Sequence, residues 1–298
     1  MKVVLTGSHG MIGSAVASAL EDARHHVVRL VRGSQKPGEV FWDPAAGVLD
    51  AGDLNGVEGA VHLAGEGIAA KRWSPEQKRL VLDSRVKSTD LLCRRLADLD
   101  PKPSVLVAGS AVGFYGDRGA QELDEQSKAG TGFLVDLCQQ WERATAPAEE
   151  AGIRVVHIRT GIVLSPTGGV LKKQLPLFKV GLGGRLGSGR QYQSWIALDD
   201  EVGAILFALT NESLSGPVNL TAPNPVTNTE FTKTLGAALG RPTIFPVPRI
   251  GLSAMLGREA VDEMVLGGQR VLPRQLEQHG YVFRYPDLEP ALRHLLGR

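Results

Sequence analysis

Five short apolar runs alternate with longer segments of helical periodicity in the first 160 residues, and this alternation restricts the possible folds more than any other feature. The apolar runs are Lys2–Thr6, Val27–Val31, Gly59–Leu63, Ser104–Ala108 and Val155–Arg159. Apolar residues recur at intervals of three and four in segments 13–21, 75–99 and 133–151. Strands that alternate with helices of this length are typical of βαβ units, and uniformly apolar strands are typical of a sheet covered on both faces. The pattern predicts an α/β protein with a doubly wound parallel sheet.

Composition and charge exclude several classes of protein. The 298 residues are 43% hydrophobic and 22% charged, and 33 Lys and Arg against 32 Asp and Glu give a formal net charge of +1. This balance gives no reason to expect nucleic acid or a membrane as a partner. The two cysteines and the scattered histidines show no spacing for a metal site, so we expect none. Because the first strand follows Met1 directly, without a signal-peptide pattern, we expect a cytoplasmic protein.

The texture of the chain changes after residue 160. Segment 165–189 is rich in glycine, proline and basic residues, which is typical of a linker or of a loop that closes over a ligand. We therefore predict a Rossmann domain over residues 1–165, with residues 198–222 returning to it. Residues 166–197 and 223–298 then form a smaller C-terminal substrate lobe.

A glycine-rich loop follows the first predicted strand. Gly7, Gly10 and Gly13 are spaced as G-x-x-G-x-x-G between a strand and a helix. In a dinucleotide site the first glycine permits a tight turn, the second lets the backbone approach a pyrophosphate, and the third allows close helix–strand packing. Free amides at the helix N-terminus then hold the phosphates. The residues expected at the dinucleotide here are Gly7, Ser8, Gly10, Met11, Ile12 and Gly13.

The end of the second predicted strand indicates which dinucleotide is bound. NAD sites place a carboxylate about 20 residues past the loop, where it holds the ribose 2′-hydroxyl. Here Arg32 and Ser34 follow the strand, and no acidic residue lies between Arg32 and Glu39. Since a guanidinium binds a phosphate and a carboxylate repels it, this segment favours NADP(H) over NAD(H).

Several further stretches carry a resemblance that covers nearly the whole chain. They are Leu63-Ala64-Gly65-Glu66, Lys71-Arg72-Trp73, Ser84-Arg85-Val86, Ser110-Ala111-Val112-Gly113-Phe114-Tyr115-Gly116, residues 191–196 with Asp199-Asp200, and residues 281–288. With the glycine loop, they make the chain similar to the extended, epimerase-like short-chain dehydrogenases/reductases, in the atypical epimerase branch of the YfcH type. The resemblance implies a Rossmann core, NADP(H), a C-terminal substrate lobe and a nucleoside-diphosphate-sugar type of substrate. It also implies cofactor contacts from Leu63, Ala64, Gly65 and Glu66. Arg85 occupies a cofactor-site position where extended members generally carry Asn.

The catalytic residues of this superfamily are only partly present. Its members use a Ser or Thr together with a Tyr-x-x-x-Lys pair, in which the ammonium lowers the phenol pKa so that the tyrosinate accepts a proton. The corresponding helix here carries Phe133 and Leu137, or Leu134 and Cys138, at those positions. Ser110 and Tyr115 are the nearest candidates to replace the missing proton donor, although Tyr115 is also explained as a packing residue.

The predicted substrate residues lie after the glycine-rich segment. Arg185 and Arg190 provide guanidiniums for a phosphorylated substrate, Gln193 a polar contact, and Trp195 a face for a base or sugar. Asp199 is expected to cap the helix that follows. Two functions stay open at this point, an NADP(H)-dependent oxidoreductase or epimerase and a non-catalytic NADP(H)-binding sensor. The substrate and the oligomeric state are not predictable from these residues.

Overall fold

The computed structural model describes residues 1–247 and 249–298. Its strands in chain order are β1 Lys2–Thr6, β2 His26–Val31, β3 Glu39–Phe41, β4 Gly59–His62, β5 Val105–Ala111, β6 Glu122–Leu123, β7 Arg154–Thr160, β8 Ile162–Leu164, β9 Tyr192–Gln193, β10 Trp195–Ala197, β11 Gly216–Leu220, β12 Val226–Thr227 and β13 Arg270–Val271. All five predicted strands are present.

The α-helices connect these strands. They are α1 Met11–Asp22, α2 Pro75–Ala97, α3 Phe133–Arg143, α4 Ala146–Glu150, α5 Gly169–Lys179, α6 Leu198–Thr210, α7 Asn228–Leu239, α8 Arg249–Leu256, α9 Arg258–Val261, α10 Arg274–Gln278 and α11 Leu288–Leu296. The predicted helix 133–151 is divided in two, because Pro147 has no N–H for an interior hydrogen bond and instead occupies the first turn of α4. No helix among the described residues is long and apolar enough to span a membrane.

Seven strands form the central sheet, in the order β11-β7-β5-β4-β1-β2-β3. The pairs from β5 to β3 are parallel, with Val3 of β1 opposite Gly59 of β4 and Val27 of β2. The predicted parallel α/β sheet is therefore confirmed. Because neighbouring parallel strands end on the same side, the segments that follow β1, β2 and β4 meet at one edge of the sheet.

Two compact units divide the chain. Unit 1 comprises Met1–Ser110, Leu137–Ile158 and Val202–Val218. Its apolar core includes Val4, Val28, Leu92, Leu106 and Val155. Unit 1 has other bounds than the predicted Rossmann domain over residues 1–165 and 198–222, since 111–136, 159–165, 198–201 and 219–222 belong to the other unit.

Unit 2 comprises Ala111–Asp136, Arg159–Glu201 and Asn219–Arg298. It is as long as unit 1, since the segment that follows β5 joins it. Its core includes Leu164, Leu171, Trp195, Phe231 and Leu292. Three two-stranded pairs, β8–β10, β9–β12 and β6–β13, lie within it.

Candidate functional site

A glycine turn joins β1 to α1 as predicted. Gly7 has a φ of +69°, a conformation that L side chains rarely adopt. A Cβ on Gly13 would lie 2.1 Å from the Gly7 carbonyl oxygen, so only glycine permits α1 to pack this closely on the turn. The Gly10 N–H donates to the Gly7 carbonyl at 2.9 Å. Gly7 thus forms the tight turn, and Gly13 forms the close contact between α1 and that turn.

The N-terminus of α1 opens beside this turn. Gly10 is the N-cap residue and supplies no side-chain hydrogen bond to the first turn. Because the first amides of a helix have no carbonyl partner within it, they are available to an anion, and the helix dipole favours one there. Met11 and Ile12 are half-buried in this first turn, and both were predicted at the site.

A cavity of about 700 Å³ lies at this edge of the sheet, within unit 1. Nine of the predicted cofactor residues line it, namely Gly7, Ser8, Gly10, Arg32, Ser34, Leu63, Ala64, Gly65 and Glu66. Met11, Ile12, Gly13 and Arg85 are not among the lining residues. The structure therefore brings together the ends of β1, β2 and β4, as the strand order requires.

Lys36 and Glu39 are among the cavity residues that were not predicted from the sequence. Lys36 adds a second basic side chain near Arg32. The Glu39 carboxylate accepts a hydrogen bond from the Lys36 N–H at 2.9 Å and lies 3.8 Å from His9 Nε2. Glu39 belongs to β3 and is opposite Arg29 of β2, so it lies beside the end of β2 despite its distance along the chain.

A buried hydrogen-bonded chain forms the floor of the cavity. Thr6 Oγ1 accepts from the N–H groups of Leu63 and Ala64, each at 3.0 Å, so its own proton points to His62 Nδ1 at 2.8 Å. His62 Nε2 then donates to Ser88 Oγ at 3.2 Å. Burial, and to a smaller extent the Arg85 charge, lowers the pKa of His62 to about 3. A neutral His62 therefore fixes the lining segment Leu63–Ala64 through Thr6.

Arg85 lies beneath the lining segment and does not enter the cavity. Its Nη1 donates to the carbonyls of Glu66 and Val81 at 2.9 and 3.1 Å. The guanidinium also lies 5.0 Å from the centre of the Trp141 ring. A Cβ on Gly65 would be 3.1 Å from the guanidinium carbon. Arg85, predicted as a cofactor residue, is thus a support for the loop that lines the site.

Ser110 ends unit 1's portion of β5 and forms a short hydrogen bond. Its hydroxyl donates to Glu142 Oε1 of α3 at 2.6 Å. Ser110 lies two residues beyond Ala108, which pairs with His62, and the lining residue Ala64 lies two residues beyond His62; Ser110 itself is not among the lining residues. α3 carries neither Tyr nor Lys, and Cys138 at one of the two possible positions is buried. The Ser110 hydroxyl, which was expected as a proton donor, therefore has a carboxylate partner.

Tyr115 is a core residue of unit 2. Its hydroxyl is fully buried, donates to Asn219 Oδ1 at 2.7 Å and accepts from Arg159 Nη1 at 3.1 Å. Burial raises the pKa of Tyr115 to about 12, although Arg159 opposes this shift. A phenol held in this way is a poor proton donor or acceptor, so we assign Tyr115 to packing.

The predicted substrate residues of unit 2 have different surroundings. Trp195 is completely buried and its indole N–H donates to the Asn224 carbonyl at 3.1 Å, so it is a core residue and not a platform for a sugar. Arg185 donates to the carbonyls of Gly187 and Ser188, which ties the loop together. Arg190 is exposed. The buried Oε1 of Gln193 has no hydrogen-bond partner among the described residues.

Asp199, at the start of α6, differs from the sequence expectation, and Glu201 nearby was not predicted to have a role. α6 begins at Leu198, so Asp199 lies in its first turn and is not the cap; its carboxylate contacts His294 Nε2 at 3.3 Å. Glu201 is completely buried and accepts from Thr160 Oγ1 at 2.9 Å. Burial raises the pKa of Glu201 to about 8. The described residues contain no group of three or more metal-ligand side chains.

The glycine turn, the N-terminus of α1 and the basic residues Arg32 and Lys36 together are typical of dinucleotide-binding α/β proteins. Residues 3–220 match the model of the NAD dependent epimerase/dehydratase family, and residues 247–295 match a domain of unknown function. The chain belongs to the NAD-dependent epimerase/dehydratase family.

Named relatives extend over the full chain. An epimerase family protein of Mycobacterium bovis is 47% identical over 297 residues, which are 99% of this chain and 98% of that protein. The human epimerase family protein SDR39U1 is 36% identical over 300 residues, covering both chains completely. A crystal structure of human SDR39U1 (isoform 2) with NADPH superposes with a TM-score of 0.91 at 34% identity, covering 100% of this chain and 99% of that one.

Proposed function

We propose that this chain is an NADP(H)-dependent oxidoreductase or epimerase that acts on a small molecule. The observation that carries the proposal is the cavity of about 700 Å³ in which a glycine turn, a helix N-terminus and Arg32 meet. The NADPH in the crystal structure of human SDR39U1 supports the same cofactor.

The residues of the cavity fit a phosphorylated dinucleotide. Side chains are missing at Gly7 and Gly10, where a pyrophosphate would approach the amides of the turn and of α1. Arg32, Ser34 and Lys36 line the side next to β2 and supply the donors that a ribose 2′-phosphate requires. The acidic residues Glu39 and Asp43 also line the cavity, and the Lys36 amide holds the Glu39 carboxylate.

The cofactor supplies or accepts a hydride at its nicotinamide ring when it is bound. The protein must then handle one proton at the substrate oxygen. We assign this role to Ser110, whose hydroxyl can accept the substrate proton as its own passes to the Glu142 carboxylate 2.6 Å away. In the opposite direction Glu142 returns the proton through Ser110. This pair replaces the Tyr and Lys that α3 lacks.

Family resemblance and two residues of unit 2 support a proposal for the substrate class. Arg190 is an exposed guanidinium, and Gln193 Oε1 is a buried acceptor without a partner among the described residues. A phosphorylated or nucleotide-linked sugar offers an anion to the first and a hydroxyl donor to the second. We propose this class of substrate.

The cofactor assignment is tested by calorimetric titration with NADPH and NADH. Arg32→Asp should weaken NADPH binding roughly tenfold to a hundredfold, because it removes charge-assisted hydrogen bonds, and should spare or improve NADH binding. Lys102→Asp changes the net charge equally at an exposed position away from the cavity and should alter neither affinity. Unchanged affinities in Arg32→Asp would refute the assignment.

The catalytic assignment is tested with NADPH and a panel of carbonyl compounds and sugar nucleotides. Substrate-dependent loss of nicotinamide absorbance identifies an enzyme, and Ser110→Ala and Glu142→Gln should then lower the rate by about 100-fold or more without weakening NADPH binding. The second candidate function is a non-catalytic NADP(H) sensor, favoured by the absence of Tyr and Lys from α3. Tight NADPH binding with no turnover across the panel would support the sensor.

A further inference from the structure

Helix α5 of unit 2 exposes an apolar and basic face. Leu171, Leu175 and Phe178 are buried in the core, and the opposite side presents Leu177 with three exposed lysines. The lysines are Lys172, Lys173 and Lys179. None of these lysines forms an ion pair among the described residues. The exposed chain continues through Val180 and Leu182.

A second segment of unit 2 lies alongside the chain that follows α5. A Cβ on Gly181 would lie 3.6 Å from Pro242, and Gly184 packs directly against the Phe245 carbonyl. The Val247 N–H donates to the Arg185 carbonyl at 2.9 Å. Residues 181–186 and 242–247 therefore run side by side and form one surface.

Five large exposed apolar side chains, at the end of α5 and on these two segments, constitute what we call the apolar patch. Their exposed fractions are 51% for Leu177, 66% for Val180, 57% for Leu182, 78% for Ile244 and 63% for Phe245. Single exposed apolar residues are ordinary, but a group of this kind on two adjacent segments is typical of an interaction site.

The two stretches of chain that carry the apolar patch contain basic residues and no acidic ones. Residues 169–189 contain four Lys or Arg and no Asp or Glu, and residues 231–258 contain four and none. Both segments of the patch lie within these ranges. The overall charge of +1 therefore conceals a local excess of positive charge, which the composition of the whole chain could not indicate.

We propose that the apolar patch binds the surface of an anionic phospholipid bilayer. Exposed Phe, Ile, Leu and Val side chains enter the boundary between headgroups and acyl chains, and the flanking lysines contact lipid phosphates. The positive charge selects this occupant, because an uncharged apolar partner or a second copy of the same basic face gains nothing from the lysines. This inference is independent of the proposed function, since it uses no residue of the cavity in unit 1.

The test is co-sedimentation of the full chain with large vesicles of phosphatidylcholine, with or without about one third phosphatidylglycerol. We expect at least tenfold tighter binding to the anionic vesicles, and loss of most of that gain in about 0.5 M salt, where charges are screened. The double variant Ile244→Ser/Phe245→Ser should weaken binding at least tenfold, and Lys172→Gln/Lys173→Gln should reduce the preference for anionic lipid several-fold.

Control variants separate the proposal from a loss of structure. Val282→Ser removes an apolar side chain that is 83% exposed outside the two segments, and Lys128→Gln removes an exposed lysine elsewhere. Both should bind vesicles as the wild type does, and all variants should keep their melting temperature and NADPH affinity. Equal binding to both vesicle types, no binding, or patch variants that bind like the controls would overturn the proposal. Self-association that disappears in Phe245→Ser would instead identify a second copy as the occupant.

Discussion

The buried imidazole of His62 makes the stability of the protein depend on pH in a predictable direction. In the folded state its pKa is lowered to about 3, whereas an unfolded chain has a His pKa near 6.5. Between these two values the unfolded state binds a proton that the folded state does not. The stability from this group is therefore fully present above about pH 6.5 and is lost as the pH falls toward 3.

The magnitude follows from the width of that window. Each pH unit inside it changes the free energy of unfolding by about 1.4 kcal/mol, so acidification from pH 6.5 to 5 should cost the wild type about 2 kcal/mol through this residue alone. His62→Gln has no titrating group at this position. We expect it to be less stable than the wild type at pH 7, by roughly 1–3 kcal/mol, because it breaks the bonds to Thr6 and Ser88.

The assay is urea denaturation of the wild type and His62→Gln at several values between pH 5 and 7. The difference in the free energy of unfolding between them should narrow by about 2 kcal/mol on acidification, because only the wild type has an imidazole that is protonated in the unfolded state and neutral in the folded state. His26→Gln, at an exposed position, measures the effect of replacing an imidazole on the surface. A gap that stays constant or widens below pH 6.5 would refute this reasoning. NADPH titrations at pH 7 should also show weaker binding to His62→Gln, since Thr6 no longer fixes the cavity floor.

Three further substitutions test other parts of the molecule. Gly13→Ala should destabilise the protein by roughly 1–3 kcal/mol and weaken NADPH binding, whereas Gly251→Ala, with no atom within 4 Å of the added Cβ and outside the cavity, should lower neither the melting temperature nor the NADPH affinity. Glu201→Gln should gain stability relative to the wild type between pH 5 and 8, by up to about 1.4 kcal/mol per pH unit. The raised pKa of Glu201 stabilises the wild-type fold fully below about pH 4.5, and this contribution is lost as the pH rises through about 8. Urea denaturation that shows no such trend would contradict the burial argument. Tyr115→Phe should cost roughly 1–3 kcal/mol in thermal or chemical unfolding, since Asn219 Oδ1 loses its buried donor, and a normal melting transition would exclude this role.

The sheet was predictable because most of its strands contain a run of consecutive apolar residues. β3 was not, since it has three residues and none of them is buried. The pairing of β3 with β2 nevertheless determines which residues lie near Arg32, because Lys36 and Glu39 then line the same cavity as Arg32. Parallel pairing places residues together that are distant along the chain, and a count along the sequence does not detect this.

The glycine turn was predictable for a different reason. A positive φ at Gly7 and close packing at Gly13 each exclude other residues, so the sequence records the geometry directly. The positions of Trp195 and Tyr115 could not be predicted in this way, because a large aromatic side chain suits a core as well as a ligand site. Their burial depends on neighbours such as Asn224 and Asn219 from distant parts of the chain.

The interleaving of the two units has a consequence for how the polypeptide is made. Unit 1 draws on three separate stretches, the last of them Val202–Val218, and the edge strand β11 spans Gly216–Leu220. A ribosome must therefore have synthesised more than two thirds of the chain before the sheet has all its members. Until then, the edge of β7 has no neighbour and is open to pairing with other nascent chains. Protection of this edge during synthesis, by a chaperone or by a rapid folding nucleus in the first 110 residues, is a requirement that the topology imposes.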